Sequence, residues 1–332
     1  MTTTSAPQEP TRLPLVKAEA EALGPSESPL REAWRHFRRD RLAMAGLCVL
    51  AFLVLVAVFG KILTEWRVVF DPAQVRLPDK LRPPLAGASE LIAKDQLPEF
   101  GLYLFGTDEL GRSVFARMMQ GSFVSLSIGI VAVAISLSIG ILLGGLAGYY
   151  GERKLLGFIS VDTLIMRFTD VVLCFPTFFL ILTVVALLPP SIFNIMIVIG
   201  ATSWMGTARF VRAEFLSLRE QDFVVAAHAL GLPERRIIFR HMVPNALAPV
   251  FVSSSIDVAH AILTESALSF LGFGVRPPFA TWGNILADGR LYIFDAPWLF
   301  LIPGFAILVV VLAFNLVGEG LREALNPRLR RR

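Results

Sequence analysis

Long apolar runs limit this chain more than any other feature. Six segments approach or exceed the roughly 20 apolar residues that a helix needs to cross a hydrocarbon core of about 30 Å. These predicted spans are residues 42–63, 122–149, 158–188, 191–209, 246–272 and 296–318. Only 17% of the residues are charged and the mean hydropathy is +0.63, whereas charged residues approach a quarter of a soluble domain. The sequence therefore predicts an all-α polytopic membrane protein with six transmembrane helices.

The N-terminal region predicts a tail and not a cleaved leader. Residues 1–30 are rich in Pro, Glu, Ser and Thr without helical periodicity, so a disordered tail is expected. No apolar core follows Arg12 and Lys17, and no small-residue cleavage site follows the first span. The first span is therefore expected to remain as a helix. The sequence predicts five regions: a tail 1–30, an N-terminal segment with the first helix 31–63, an external loop 64–121, a transmembrane core 122–320 and a basic tail 321–332.

The distribution of Lys and Arg predicts the orientation. Segments 1–41, 150–158, 209–245 and 318–332 together hold 20 of the 31 cations. Short loops rich in Lys and Arg stay in the cytoplasm. Both termini and residues 209–245 are therefore expected inside, and residues 64–121 outside.

The external loop divides into two parts. Residues 64–105 contain five prolines, which exclude long helices and predict either an irregular cap or a docking site for an external partner. From residue 107 the pattern changes, because Thr107 or Asp108 can cap a helix whose apolar residues recur at helical spacing. Those apolar residues are Leu110, Val114, Phe115 and Met118. A short amphipathic helix is expected there.

Charges and glycines inside the spans identify further candidates. A charge at the bilayer centre costs about 2.5–3.5 kcal/mol on insertion scales. Arg167 and Asp170 are three residues apart in the third span, so they are expected to form an ion pair or to act in gating. Asp257 and Glu265 lie on one side of the fifth span, as a pore lining or as a polar helix contact. Glycines four residues apart in the second span predict close helix packing; they are Gly140, Gly144 and Gly148.

No chemistry-bearing motif is present in the sequence. The four histidines lack ligand spacing, and the metalloprotease, nucleophile-elbow and P-loop patterns are absent. Cys48 and Cys174 both lie in apolar runs. No catalytic residue, metal site or cofactor site is therefore predicted in this chain. If its work requires ATP, another chain must bind the nucleotide.

The stretch AAHALGLPERRIIFRHMVPN, residues 226–245, places cations between two apolar regions. One apolar stripe precedes Gly231, which is a natural C-terminal cap, and Pro233 opens a second helical stretch that Pro244 is expected to end. The stripe is Phe223, Ala226, Ala227 and Leu230. Its two alanines would let another protein come close.

This stretch resembles the EAA loop of permease subunits in binding-protein-dependent ABC importers. In that family the loop forms two short helices that insert into a groove on an ATPase subunit. Residues 106–130, GTDELGRSVFARMMQGSFVSLSIGI, and the segments WGNILADGR and PGFAILVVVLAFNLVGEGLREALNPRLR between 282 and 330 are similar to the peptide-importer branch. AWRHFRRDRLAMAGL, before and within the first span, resembles the second permease type of dipeptide and oligopeptide importers.

The resemblance implies a type I ABC importer permease fold and a coupling loop at residues 212–245. It assigns ATPase coupling to Phe223, Ala226, Ala227, Leu230, Gly231, Leu232 and Pro233. Val225 replaces the glutamate that names the loop, so its polar contact is expected to shift to Asp222 or Glu234.

The resemblance also implies partners and a location. The partners are a homologous second permease, two cytoplasmic ATPase subunits that bind ATP and Mg, an extracytoplasmic solute-binding protein and membrane lipids, without nucleic acid. The location is the prokaryotic inner membrane, where the chain would act by alternating access and would not itself be an enzyme.

The solute class is peptides or related small solutes; relatives also handle nickel complexes, glutathione and oligosaccharides. Two alternatives are a secondary transporter and an intramembrane enzyme built on Ser254, Ser255 and His260.

Overall fold

A computed structural model describes residues 29–65, 70–93, 97–98, 100–151, 153–155 and 158–325. The expected disordered tail, apart from residues 29 and 30, and the last seven residues of the basic tail lie outside this part of the chain. The helices are α1 Pro29–Arg39, α2 Arg41–Glu65, α3 Val114–Tyr149, α4 Val161–Leu173, α5 Thr177–Leu187, α6 Ile192–Ala201, α7 Trp204–Arg219, α8 Asp222–Ala229, α9 Glu234–Arg236, α10 Val243–Phe270, α11 Trp282–Gly289 and α12 Trp298–Leu325.

Two very short hairpins interrupt the helical pattern. β1 Ala86–Gly87 pairs with β2 Leu102–Tyr103, and β3 Lys154–Leu155 pairs with β4 Ile159–Ser160, both antiparallel. Each strand has two residues, so helices alone provide the bundle. The all-α prediction is confirmed in this sense.

Four predicted spans correspond to long apolar helices. Within the described residues these are α2, α3, α12 and the helical stretch Glu234–Phe270 that ends with α10. The predicted span 158–188 is instead the pair α4 and α5, bent by 79°. The bend falls at Pro176, because proline donates no backbone hydrogen bond and restricts the residue before it.

The predicted span 191–209 is also interrupted. Its first half is α6, a ten-residue apolar helix, and its second half is the beginning of α7. At the junction, Thr202 and Ser203 donate their hydroxyls to the carbonyls of Val198 and Ile199, at 2.6 and 2.7 Å. Such bonds from hydroxyl groups bend helices. By length and composition, the described part of the chain has four helices able to span a membrane, or five if the bent pair counts as one span. The expected six continuous helices are not found there.

The expected amphipathic helix from residue 107 is not a separate element. Ser113 is the N-cap of α3, its hydroxyl accepting a hydrogen bond from the Ala116 N–H, and α3 runs unbroken to Tyr149. Thr107 is not the cap: its hydroxyl accepts a hydrogen bond from the Arg82 N–H at 2.7 Å and donates one to the Asp79 carbonyl at 2.6 Å. In its described residues, the segment before α3 is irregular, as its prolines predict, apart from one 3₁₀ turn and the β1–β2 hairpin.

α3 is the central helix of the bundle. It packs against α2, α6, α7 and α10, and the largest apolar core surrounds it. The glycine ridge faces α7: a Cβ at Gly144 would lie 2.3 Å from the Ala208 carbonyl oxygen, and a Cβ at Gly148 would lie 2.5 Å from Cβ of Phe215. The predicted close helix approach is confirmed.

Replacing Gly144 with alanine should therefore destabilise the bundle, although alanine favours helices. The new methyl group collides with the α7 backbone, which cannot move aside as a side chain can, and such overpacking costs about 1–3 kcal/mol. Gly206→Ala is the matched control, because a Cβ at that position meets nothing within 4 Å. Thermal unfolding of the purified chain should show a lower midpoint for Gly144→Ala alone. Equal midpoints for both variants would contradict this packing.

Candidate functional site

Within the coupling loop, α8 ends in a glycine cap. α8 closes with the N–H of Gly231 donating to the His228 carbonyl at 2.9 Å and the N–H of Leu232 donating to the Ala227 carbonyl at 3.2 Å. This is the Schellman arrangement, which needs a left-handed residue. Gly231 has φ +69°, and a Cβ there would meet nothing within 4 Å. Backbone conformation, and not crowding, therefore requires glycine.

The second half of the loop joins α10 directly. Pro233 precedes α9, a π-helical stretch Ile237–Met242 follows, and α10 starts at Val243. The expected helix end at Pro244 is wrong. Pro244 falls in the first turn of α10, where a missing N–H costs little.

One side of α8 is buried against the bundle. Ala227 is 4% exposed and Val224 is fully buried. They belong to a compact apolar cluster, here called the loop core: Tyr149, Val211, Phe215, Val224, Ala227, Ile237, Met242, Ala246 and Val250. These residues come from α3, α7, α8, α10 and the π-helical stretch, so the loop is packed onto α7 and onto two of the spanning helices, α3 and α10.

The other side of α8 is an exposed apolar surface. Phe223 is 41% exposed and Leu230 is 79% exposed, and Ala226 is exposed between them. These three residues are the coupling face. The sequence placed Ala226 and Ala227 together in one docking stripe; the structure separates them, because Ala227 faces the loop core. Leu232 is half-buried against that core, and Pro233 is exposed.

Glu234 anchors the loop from a second direction. Its carboxylate accepts a hydrogen bond from the Tyr150 hydroxyl at 2.9 Å and lies 3.7 Å from Arg153. Burial raises the pKa of Tyr150, and Glu234 raises it further, so the hydroxyl remains a donor. Glu234 is thus engaged by its own chain, while Asp222 and Val225 are exposed.

Two ion pairs connect α4 with α7. Asp170 binds Arg209 at 2.5 Å, and Asp162 binds Arg212 through both nitrogens. The expected pair between Arg167 and Asp170 is not formed, because Asp170 reaches across to α7 while Arg167 is exposed. A role for either residue in gating stays a prediction.

The two carboxylates of the fifth span have different surroundings. Asp257 lines a small cavity of about 60 Å³ with Ser136, Ser203 and Thr264. Glu265 is fully buried, and Ser269 donates a hydrogen bond to it at 2.7 Å. Glu265 is therefore a polar contact inside the bundle, whereas Asp257 borders an internal cavity. The structure does not bring the two together in one cavity.

An ion-pair network at the end opposite the coupling loop was missed by sequence reasoning. Buried Asp108 accepts hydrogen bonds from Arg112 Nε and Arg117 Nη1, each at 2.7 Å, and Arg117 continues to Asp288 of α11 at 2.8 Å. Gly111, with φ +72°, makes the turn possible, since a Cβ there would lie 1.9 Å from the Arg76 carbonyl oxygen. The acids, the glycine and the arginine of TDELGR, followed five residues later by Arg117, were the available signal.

The bundle of long apolar helices defines a multi-pass membrane protein. The chain belongs to the family of inner membrane components of binding-protein-dependent transport systems, whose family model matches residues 137–331. A second model, the N-terminal transmembrane domain of oligopeptide transport permease C, matches residues 28–84.

Curated relatives cover almost the whole chain. The chain is 39% identical to the dipeptide transport system permease protein DppC of Alkalihalophilus pseudofirmus over 91% of both chains. It is 34% identical to the oligopeptide transport system permease protein OppC of Bacillus subtilis, over 91% of this chain and 90% of that one. Among solved structures it is similar to the MetNI methionine ABC transporter in an inward-facing conformation, with TM-score 0.48 and 15% identity, over 64% of this chain and 97% of that chain.

Proposed function

We propose that this chain is the membrane-spanning permease subunit of an ATP-driven importer that moves peptides or related small solutes into the cytoplasm. The observation that carries the proposal is the coupling face on a loop packed into the bundle. Its apolar residues have no role in the chain's own core, and family membership supports a partner that binds them. The names of the curated relatives support peptides as the solute class.

The loop core suggests how energy enters the bundle. Val224 and Ala227 are packed against the ends of α3, α7 and α10. An ATPase subunit bound to the coupling face would therefore move α8 together with these helix ends. A displacement of Phe223 and Leu230 would thus be transmitted to these helices through packed side chains. Alternating access needs such contacts to differ between two states.

The remaining partners follow from this role. No phosphate-binding loop occurs in the sequence, so ATP and Mg would be bound by two separate ATPase subunits. A second, homologous permease would complete the pathway, and an extracytoplasmic solute-binding protein would deliver the solute. A secondary transporter would leave the coupling face without a partner.

The orientation is proposed from the cation count, with both termini and the coupling loop in the cytoplasm. In the structure, the Asp108 network and α11 lie at the other end of the helices from the coupling loop. They would then face the outside.

Cysteine labelling in intact cells tests this orientation. A cysteine at the exposed position Glu90 should react with a membrane-impermeant maleimide, whereas one at the exposed position Ser217 should react only after the membrane is permeabilised. Cys48 and Cys174, both exposed, are replaced by serine in the background, which is the unlabelled control. The reverse labelling pattern would overturn the proposed orientation.

Substituting Ala226 tests the docking role of the coupling face. Ala226→Arg places a long charged side chain in a desolvated contact and should weaken ATPase binding by about 2 kcal/mol or more, roughly 30-fold in affinity. The loop core is untouched, so membrane insertion and thermal stability of the chain should be unchanged. Solute-stimulated ATP hydrolysis and uptake by the assembled complex should be lost.

Gln221→Arg is the matched control, because it adds the same side chain to the same loop at an exposed position outside the coupling face. It should bind the ATPase and support uptake normally. Normal uptake by Ala226→Arg would show that the coupling face does not receive the ATPase.

A further inference from the structure

A cavity of about 460 Å³ lies at the end of the bundle opposite the coupling loop. It is open to solvent and is lined by the end of α10, the connection between α10 and α11, α11 itself and the TDELGR segment. Its lining includes side chains of both charges: Glu109 and Asp288 are acidic, and Arg276 and Arg290 are basic. Cavities of this size hold small molecules.

On the acidic side, Glu109 is the carboxylate that is available. Asp108 and Asp288 are both engaged by Arg112 and Arg117. Glu109 forms neither a hydrogen bond nor an ion pair with any residue that the structure describes. Burial raises the pKa of Glu109, and the neighbouring charges of Asp288 and Asp108 raise it further, outweighing the two arginines. A cation bound beside Glu109 would supply the direct ion-pair partner that this carboxylate lacks among the described residues.

On the basic side, Arg290 is exposed and has no carboxylate partner among the described residues. Its guanidinium lies 5.5 Å from the centre of the Phe270 ring, and one nitrogen donates to the Phe270 carbonyl at 3.5 Å. Within the described chain, no carboxylate lies at ion-pair distance from Arg290 or from the exposed Arg276. A guanidinium is suited to bind a carboxylate through two parallel hydrogen bonds.

We propose that this cavity binds a zwitterionic solute, an unmodified short peptide, with its ammonium group at Glu109 and its carboxylate at Arg290. A simple anion would leave the negative charge of Glu109 without a partner. A simple cation would leave the positive charge of Arg290 without one. The peptide class rests on the proposed function. In the proposed orientation the cavity is on the external side, so the peptide meets it before it enters the bundle.

Equilibrium binding to the complete importer tests the proposal. The complex is reconstituted in nanodiscs without its binding protein, and radiolabelled glycyl-leucine is displaced by its unlabelled, N-acetylated and C-amidated forms. The wild-type complex should bind the unmodified dipeptide at least tenfold more tightly than either blocked form.

Each variant should remove one preference and keep the other. Glu109→Gln should lose discrimination against the N-acetylated form but keep it against the amide, and Arg290→Gln should do the opposite. Glu323→Gln, at an exposed position near the far end of α12, should change neither. Absence of dipeptide binding by the wild-type complex, or variants that leave both preferences intact, would overturn the proposal.

Uptake driven by ATP in the presence of the binding protein separates the two proposals. If peptide is imported while both variants keep wild-type discrimination, the cavity is not the peptide site and the proposed function stands. If no peptide is imported, the proposed function fails for peptides, and the binding of a zwitterion in the cavity is decided by the displacement pattern alone.

Discussion

The burial of Val224 and Ala227 in the loop core is the interaction on which this account depends. It fixes α8 against α7 and two spanning helices, α3 and α10, and it leaves Phe223, Ala226 and Leu230 exposed. A loop that only followed the backbone between two spans would move independently of the bundle. Packed in this way, the loop moves with it. The Tyr150–Glu234 hydrogen bond at 2.9 Å adds a second attachment.

The central helix α3 joins this loop to the opposite end of the bundle. Near its start, Arg117 connects Asp108 to Asp288 of α11, and its last residue, Tyr149, belongs to the loop core. Breaking a buried charge pair by removing one partner costs about 3–5 kcal/mol, so the charged end resists deformation. A helix held at both ends in this way connects the loop core to the cavity beside α11.

Much of this architecture could be predicted from the sequence, because apolar length and glycine spacing depend on local composition. The long helices α2, α3 and α12 and the α3–α7 glycine contact are of this kind, and so is the cap at Gly231. The break at Thr202 and Ser203 was not predictable, since the apolar run continues through it. The different exposure of Ala226 and Ala227 also required the structure. The two side chains point about 100° apart on the helix, and which of them faces the bundle depends on how the neighbouring elements pack. The pairing of Asp170 with Arg209 also required the structure, because it depends on how α4 packs against α7.

The most direct test of the account is the accessibility of single cysteines in α8, in a background without Cys48 and Cys174. A cysteine at Ala226 should react rapidly with maleimide in the permease alone and become protected when the ATPase subunits bind. A cysteine at Ala227 should react slowly in both states, because the loop core already covers it. Rapid labelling at Ala227, or labelling at Ala226 that the ATPase leaves unchanged, would contradict the claim that a packed loop presents the coupling face to its partner.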